Sequence, residues 1–157
     1  MTKEEKLTLK DWHQKNAVDL FNHSWTLIDK KKRTKEETDE LIHAAHASRH
    51  HWGQIGKPGH FERGEWQISR VYSLLKMGES ALYHAKRCLD ICKANKLKDW
   101  DLAFAYESVA RAYYVLKDKK NTEKYLKLAS KAGLEIKESG DQDYFNTELK
   151  TIKLKAL

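Results

Sequence analysis

The chain has 157 residues and a formal net charge of +7, with only seven glycines, one proline and two cysteines. This length suits a single domain over residues 1–157, and the composition favours helices over strands. No run approaches the roughly 18 apolar residues of a membrane span, so we expect no membrane association. The charged N-terminus, Met1 to Lys10, lacks the apolar core of a signal peptide, and no disulfide framework is visible. We therefore expect a cytoplasmic protein.

The excess of positive charge is compatible with several acidic partners, namely nucleic acid, an anionic membrane face or an acidic peptide. Lysines scattered over solvated helix faces explain the same excess and are the favoured explanation. Only the net charge supports binding to nucleic acid, so we do not expect it.

Capping signals predict two helices in the first third of the chain. Thr8 and Thr34 are each followed three residues later by an acidic residue, which is the spacing of a capping box. The first helix is predicted to end near Lys30. The second is predicted to end in the segment 53–59, where three glycines and the single proline lie together. Further helices are predicted over about 61–76, 80–94, 99–116 and 121–137, with Asp99 and Asn121 as caps of the last two, and a seventh after the turn at 139–141.

Part of the sequence is repeated at a spacing of 41 residues. Arg70, Tyr72, Leu75 and Lys76 of the first copy correspond to Arg111, Tyr113, Leu116 and Lys117 of the second. Repeats of roughly 20 to 50 residues are typical of stacked supersecondary units. The last helix, with Tyr144, Phe145, Leu149 and Ile152, is expected to cover the exposed side of the second copy.

The repeated block, from about residue 63 to 132, resembles a tetratricopeptide unit. The small and aromatic packing positions of that family fall on Ser69, Tyr72, Ala81, Ala85 and Cys88, and in the second copy on Ala110, Tyr113, Thr122, Leu126 and Ala129. The spacing differs from the family's roughly 34 residues, the usual glycine is replaced by Ser69 and Ala110, and no proline closes either unit. The resemblance implies an all-α fold, a right-handed stack of antiparallel helix pairs with about seven helices.

The resemblance also implies that the first helix of each unit lines a concave groove, where basic side chains hold the carboxylates of a peptide. The expected ligand-binding residues are Arg63, Trp66, Arg70, Glu107, Arg111 and Tyr114. Arg70 and Arg111 would repel each other unless a negative group lay between them, so we expect an acidic peptide or protein partner. We also expect that replacing either arginine costs little stability. Internal pairing with Glu62, Glu65 or Glu107 is an equally weighted alternative.

Four histidines crowd the second helix between residues 43 and 52. At about 100° per residue, Asp39, His43, His46 and His50 share one face, and imidazoles three or four apart can bind one metal ion such as zinc. The four residues span about 16 Å along the helix, so one ion would also need ligands from another helix. A polar face without metal is the favoured explanation, and a metal-free ligand or catalytic pocket is a third.

The sequence does not decide whether the protein is an enzyme. The nearest hydroxyl to the histidines belongs to Ser48, which faces away from them, and no partnered nucleophile is visible. The leading hypothesis is therefore a non-enzymatic helical-repeat module that binds an acidic peptide or protein. The alternative is a metal-binding protein or enzyme that uses the histidine face.

Overall fold

The computed structural model describes residue 4 and residues 6–157, so the expectation for Met1 to Lys10 falls partly outside it. Within this range the chain forms seven α-helices and no strand, which confirms the all-α prediction. No helix of the described residues is long and apolar enough to cross a membrane. The helices are α1 (Leu9–Ile28), α2 (Lys35–Ile55), α3 (Pro58–Leu74), α4 (Gly78–Ala94), α5 (Asp99–Val115), α6 (Lys119–Gly133) and α7 (Ser139–Leu149), followed by a short 3-10 helix (Leu154–Ala156).

Successive helices pack as neighbouring pairs, α1 with α2, α3 with α4 and α5 with α6. The first helices of adjacent pairs also touch, because α3 contacts both α1 and α5, and α7 packs against α5 and α6. The second and third pairs follow the repeat of the sequence. Pro58 and Asp99 begin their first helices and Gly78 and Lys119 begin their second helices, each 41 residues apart.

The turn inside each of these two pairs has the same backbone conformation. Lys76 and Lys117 adopt left-handed φ angles of 63° and 59°, respectively. In each case the amide of the next residue bonds back to a tyrosine carbonyl, Tyr72 in one copy and Tyr113 in the other, at 2.9 and 3.0 Å. A left-handed residue after a helix, with this backward bond, satisfies carbonyls that the helix leaves free. The equal turns and equal spacing are what a helical repeat of 41 residues requires.

The predicted N-terminal caps of the first two helices are confirmed. Thr8 Oγ1 accepts a hydrogen bond from the Asp11 amide at 3.1 Å. Thr34 and Glu37 form a full capping box, because each side chain accepts the backbone N–H of the other residue at 3.1 Å. These bonds satisfy amide groups that a helix start leaves without partners.

Several predicted boundaries were wrong by a few residues. The break between α2 and α3 consists of Gly56 and Lys57 alone, because Pro58 takes the first helical position, where its missing N–H costs nothing. Asn121 is not the cap of α6. Asp118 is, and its Oδ1 accepts from the Asn121 amide at 3.0 Å. Asp99 is not a cap either but the first residue of α5.

At the C-terminal end, α6 ends at Gly133 rather than Lys137, and α7 begins within the predicted turn. Glu138 caps α7, accepting from the amides of Gly140 and Asp141 at 3.0 and 2.6 Å. Helix α7 is anchored by Phe145, which is completely buried against Phe104. This burial agrees with the expectation that the last helix covers the second copy of the repeat.

Candidate functional site

A pocket of about 470 Å³, the aromatic pocket, opens among α1, α3, α5 and α7. Its polar lining consists of three acids and Arg63, and Trp66 contacts Trp25 and Phe104 with ring centroids 5.6 and 5.5 Å away. The aromatic lining residues are Phe21, Trp25, Trp66, Trp100, Phe104 and Tyr144, and the acids are Glu62, Asp101 and Asp141.

A second pocket of about 310 Å³, the basic pocket, lies between the ends of α3 and α5 and the segment after α7. Arg70, Lys76 and Arg111 supply its positive charge and Tyr114 its aromatic surface. The six ligand-binding residues predicted from the sequence are therefore divided. Arg63 and Trp66 line the aromatic pocket, and Arg70, Arg111 and Tyr114 line the basic pocket.

Glu107, the sixth predicted residue, lies beneath the two arginines and is 1% exposed. Its Oε1 accepts a hydrogen bond from Arg111 Nε at 2.7 Å and lies 3.8 Å from Arg70 Nη1. Arg70 Nη2 also donates to Glu148 Oε2 at 2.6 Å. The structure thus shows the internal pairing that the sequence had left as an alternative. The premise that repulsion between the two arginines requires an external anion was wrong, because the chain supplies two carboxylates.

Residues of α7 and the segment after it connect the two pockets. Asp141 and Tyr144 line the aromatic pocket, Glu148 meets Arg70, and Thr151 lines the basic pocket. Arg111 Nη2 also donates to the Glu148 carbonyl at 3.0 Å. The sequence predicted that α7 covers the last repeat but not that it reaches α3. The only sequence signal for these contacts was the presence of acids three and four residues from Tyr144, Asp141 and Glu148.

At one edge of the aromatic pocket, Arg63 forms two parallel bonds with Asp101, from Nε to Oδ1 at 2.9 Å and from Nη2 to Oδ2 at 3.2 Å. Burial opposes ionisation of Asp101, but hydrogen bonds with Glu62 and Arg63 outweigh it and lower the pKa of Asp101. Burial, reinforced by the bond with Asp101, raises the pKa of Glu62 to about 10. Glu62 is therefore a neutral carboxylic acid at pH 7, beside an ionised Asp101.

Glu62 also touches the two cysteines of α4. Cys88 Sγ lies 3.3 Å from Glu62 Oε2, and both thiols are completely buried. A hydrogen bond between the two thiols, together with burial, raises the pKa of Cys88, and the same bond lowers the pKa of Cys92. The expected burial of Cys88 is confirmed. Sequence reasoning considered Glu62 only as a partner of the arginines and missed its contact with Cys88, because the two residues lie on different helices, 26 positions apart.

The histidines of α2 do not share one cluster. His46 shares a hydrogen bond of 2.8 Å between its Nε2 and the Tyr72 hydroxyl. Burial, and then the charge of nearby His84, lowers the pKa of His46. His84 is in turn bonded through Nδ1 to Glu65 Oε2 at 2.6 Å, and Arg49 donates to the other oxygen of Glu65 at 3.2 Å.

The predicted metal ligands Asp39, His43 and His50 lie on the exposed side of α2. Within the described part of the chain, no three of Asp39, His43, His46 and His50 bring ligand atoms within 4.8 Å of one another. A metal site on this face stays a prediction that would need a rearrangement of His46 away from Tyr72. Ser48 faces away as predicted and donates to the Ala17 carbonyl at 2.7 Å.

In comparisons with models of known families, with curated proteins and with solved structures, no significant match to this chain was found.

Proposed function

We propose that this protein is a non-enzymatic, tetratricopeptide-like interaction module that binds an acidic peptide or protein segment in its basic pocket. The observation that carries the proposal is the joint presence of Arg70, Lys76 and Arg111 around one solvent-open cavity. Guanidinium groups bind carboxylates with good geometry, and a third cation adds long-range attraction. The 41-residue pairing of helices supports the tetratricopeptide-like part of the proposal.

The charges around the basic pocket do not cancel. Arg70, Lys76 and Arg111 contribute three positive charges, whereas Glu107 and Glu148 contribute two negative ones, so +3 − 2 leaves +1. Glu107 is buried below the arginines, so the remaining positive charge faces the cavity. One carboxylate of a partner would neutralise it, and the Tyr114 ring offers an apolar surface beside it. We place this interaction in the cytoplasm, where the two free thiols are compatible with reducing conditions.

Fluorescence anisotropy with two labelled peptides tests the proposal, one rich in glutamate and the other with each glutamate replaced by glutamine. We expect the wild-type protein to bind the first at least tenfold more tightly, about 1.4 kcal/mol. Lys76→Ala should weaken that binding about threefold to tenfold, as expected for a partly exposed charge-assisted contact.

Lys117→Ala is the matched control, because Lys117 occupies the same left-handed position in the second repeat and does not line the basic pocket. Equal loss of affinity in both lysine variants would show that the loss comes from the lower net charge of the protein, and it would contradict a site at the basic pocket. Equal binding of the two peptides would refute recognition of carboxylates. Competition by duplex DNA at physiological salt would instead favour a phosphate backbone as the ligand.

A further inference from the structure

The structure brings three metal-ligating side chains together in the closed interface between α3 and α4. The ligand atoms of Glu62, Cys88 and Cys92 all lie within 4.8 Å of one another, and all three residues are buried. Among the described residues, no other group of three histidine, cysteine or acidic side chains meets this condition. These three residues are not part of the proposed peptide site, which lies at the C-terminal ends of α3 and α5.

The geometry of α4 explains how two thiols reach one point. Cys88 and Cys92 are four residues apart, and residues at this spacing lie one above the other on the same helix face. That face packs against α3, where Glu62 lies. Asp101 of α5 is bonded to Glu62 and stands next to the cluster. Two thiol sulfurs and carboxylate oxygens form a ligand set that suits zinc and similar ions.

Packing alone does not account for an acid at this position. Glu62 is 2% exposed, and its Oε1 accepts no hydrogen bond, with Arg63 Nε 3.7 Å away. The bond between Glu62 and Asp101 uses the proton of Glu62 itself, so it supplies no donor to the Glu62 oxygens. A buried carboxyl oxygen that accepts no hydrogen bond costs free energy that an apolar side chain of similar size would not. A cation at this point would bond the unpartnered oxygen directly.

The cluster is accessible from solvent on one side. Glu62, Asp101 and Arg63 all line the aromatic pocket, which leads from the surface to the Glu62 carboxyl. A hydrated ion in this pocket can therefore exchange its water for carboxylate oxygens before it reaches the thiols behind them.

We propose that Glu62, Cys88 and Cys92 bind one thiophilic divalent ion of the zinc class, with Asp101 adjacent as a further oxygen donor. The charge is nearly balanced, because two thiolates and the Glu62 carboxylate leave −1 around a divalent cation. Arg63, already bonded to Asp101, provides positive charge at the same edge. Binding requires the Glu62 proton and the thiol protons to leave, so affinity should rise with pH.

Titration of the reduced, full-length protein with Co²⁺ tests this site. We expect stoichiometric uptake with the near-ultraviolet absorption of cobalt–thiolate bonds and the visible bands of tetrahedral cobalt. Cys92→Ser should abolish the thiolate absorption or shift it strongly, and Glu62→Gln should weaken uptake at least tenfold. Glu62→Gln is expected to fold, because its amide keeps an acceptor for Cys88 and provides a donor for Asp101.

Two control variants distinguish this site from other histidine and acid groups. His46→Ala removes the central residue of the histidine face, and Glu65→Gln removes a partly buried acid of α3 that is not in the cluster. Both should keep the cobalt spectrum of the wild type. Absence of cobalt–thiolate absorption in reduced wild-type protein, or an unchanged spectrum in Cys92→Ser, would overturn the proposal. Loss of cobalt binding in His46→Ala would place the ion on the histidine face instead. None of these outcomes depends on peptide binding at the basic pocket.

Discussion

Arg70 of α3 and Glu148 of α7, 78 positions apart in the chain, are joined by a 2.6 Å hydrogen bond from Nη2 to Oε2. The pair is largely enclosed, with 22% of the arginine side chain and 18% of the glutamate side chain exposed. It gives α7 two roles. The helix covers the last repeat through Phe145, and it places a carboxylate where we expect the carboxylate of a partner to bind. We therefore expect Glu148 to compete with an acidic ligand for Arg70.

Replacing Glu148 by glutamine should strengthen binding of a glutamate-rich peptide about fivefold, because it frees Arg70 and raises the charge of the basic pocket to +2. The same change should lower the free energy of unfolding by about 1 to 2 kcal/mol, between the values of exposed and buried pairs. Peptide anisotropy and chemical denaturation measure the two effects. Glu123→Gln breaks an exposed pair with Lys127 and should alter neither quantity appreciably. Unchanged peptide affinity in Glu148→Gln would show that Glu148 does not compete with the peptide for Arg70.

Arg70→Ala and Arg111→Ala should each destabilise the fold by about 1 to 3 kcal/mol, since each leaves the buried Glu107 with less compensating charge. This corrects the sequence-based expectation that neither change costs much stability. Chemical denaturation measures it, with Arg87→Ala as the control, because Arg87 is half exposed and lies 3.8 Å from Asp90. Equal stability of Arg111→Ala and Arg87→Ala would contradict the importance of the Glu107 pairing.

Gly133→Ala should loosen α7. A Cβ at this position would lie 2.4 Å from Cε1 of Phe145, which is completely buried and has no room to move away. We expect a loss of about 1 to 3 kcal/mol from overpacking. Thermal unfolding should show a decrease of about 2 to 4 °C per kcal/mol. Gly59→Ala is the matched control, because a Cβ there meets nothing within 4 Å and the helix should gain up to about 1 kcal/mol. Similar melting of both variants would contradict the close contact.

Glu62→Gln should stabilise the protein increasingly as the pH rises. In the folded state the pKa of Glu62 is about 10, whereas its ordinary value is 4.5. The stability that Glu62 contributes is thus fully present below pH 4.5 and is lost as the pH rises from 4.5 towards 10. Glutamine does not titrate, so the variant should exceed the wild type by about 1 to 3 kcal/mol at pH 8 and match it near pH 4.

Glu65→Gln is expected to have the opposite sign. Burial opposes ionisation of Glu65, but bonds with His84 and Arg49 outweigh it and lower the pKa of Glu65. Its contribution is present above pH 4.5 and is lost as the pH falls, so the variant should be destabilised at pH 7. Denaturation at a series of pH values compares the two variants. If both variants changed the stability in the same direction, Glu62 and Glu65 would not differ in protonation.

The stability of the wild-type protein should fall as the pH drops below 6.5, in part through His46. Burial first, and the charge of His84 second, lowers the pKa of His46 in the folded state. Its contribution is therefore present above pH 6.5 and is lost as the unfolded state takes up a proton that the folded state resists. His46→Gln should flatten the dependence between pH 7 and 5. His50→Gln removes an exposed imidazole from the same helix as a control. An unchanged slope in His46→Gln would assign the acid sensitivity to another group.

Most of the fold could be predicted from short-range signals. The capping pairs at Thr8 and Thr34 act over three residues. The 41-residue repeat predicted how the helices pair, because two similar segments at a fixed spacing are expected to form similar helix pairs. Boundaries were missed where two local signals compete, as at Pro58, which both ends one helical pattern and starts the next.

The candidate sites depended on contacts that no local pattern encodes. The 41-residue repeat placed Arg70 and Arg111 at equivalent positions, and the structure brings both to one pocket. It did not indicate which carboxylates reach them, because several acids lay within the length of an arginine side chain. Likewise Cys88 and Cys92, four residues apart, share a face of α4, but Glu62 joins them only through the packing of α3 against α4.

The sequence by itself therefore determined the seven helices and their pairing, because these follow from helix capping, the 3.6-residue period and the 41-residue repeat. Only the tertiary structure decided that α7 delivers Glu148 to Arg70 and that α3 delivers Glu62 to two thiols. The relative rotation and register of packed helices are set by the fit of many side chains at once. A shift of one helical turn in that packing, about 5.4 Å, would separate both pairs.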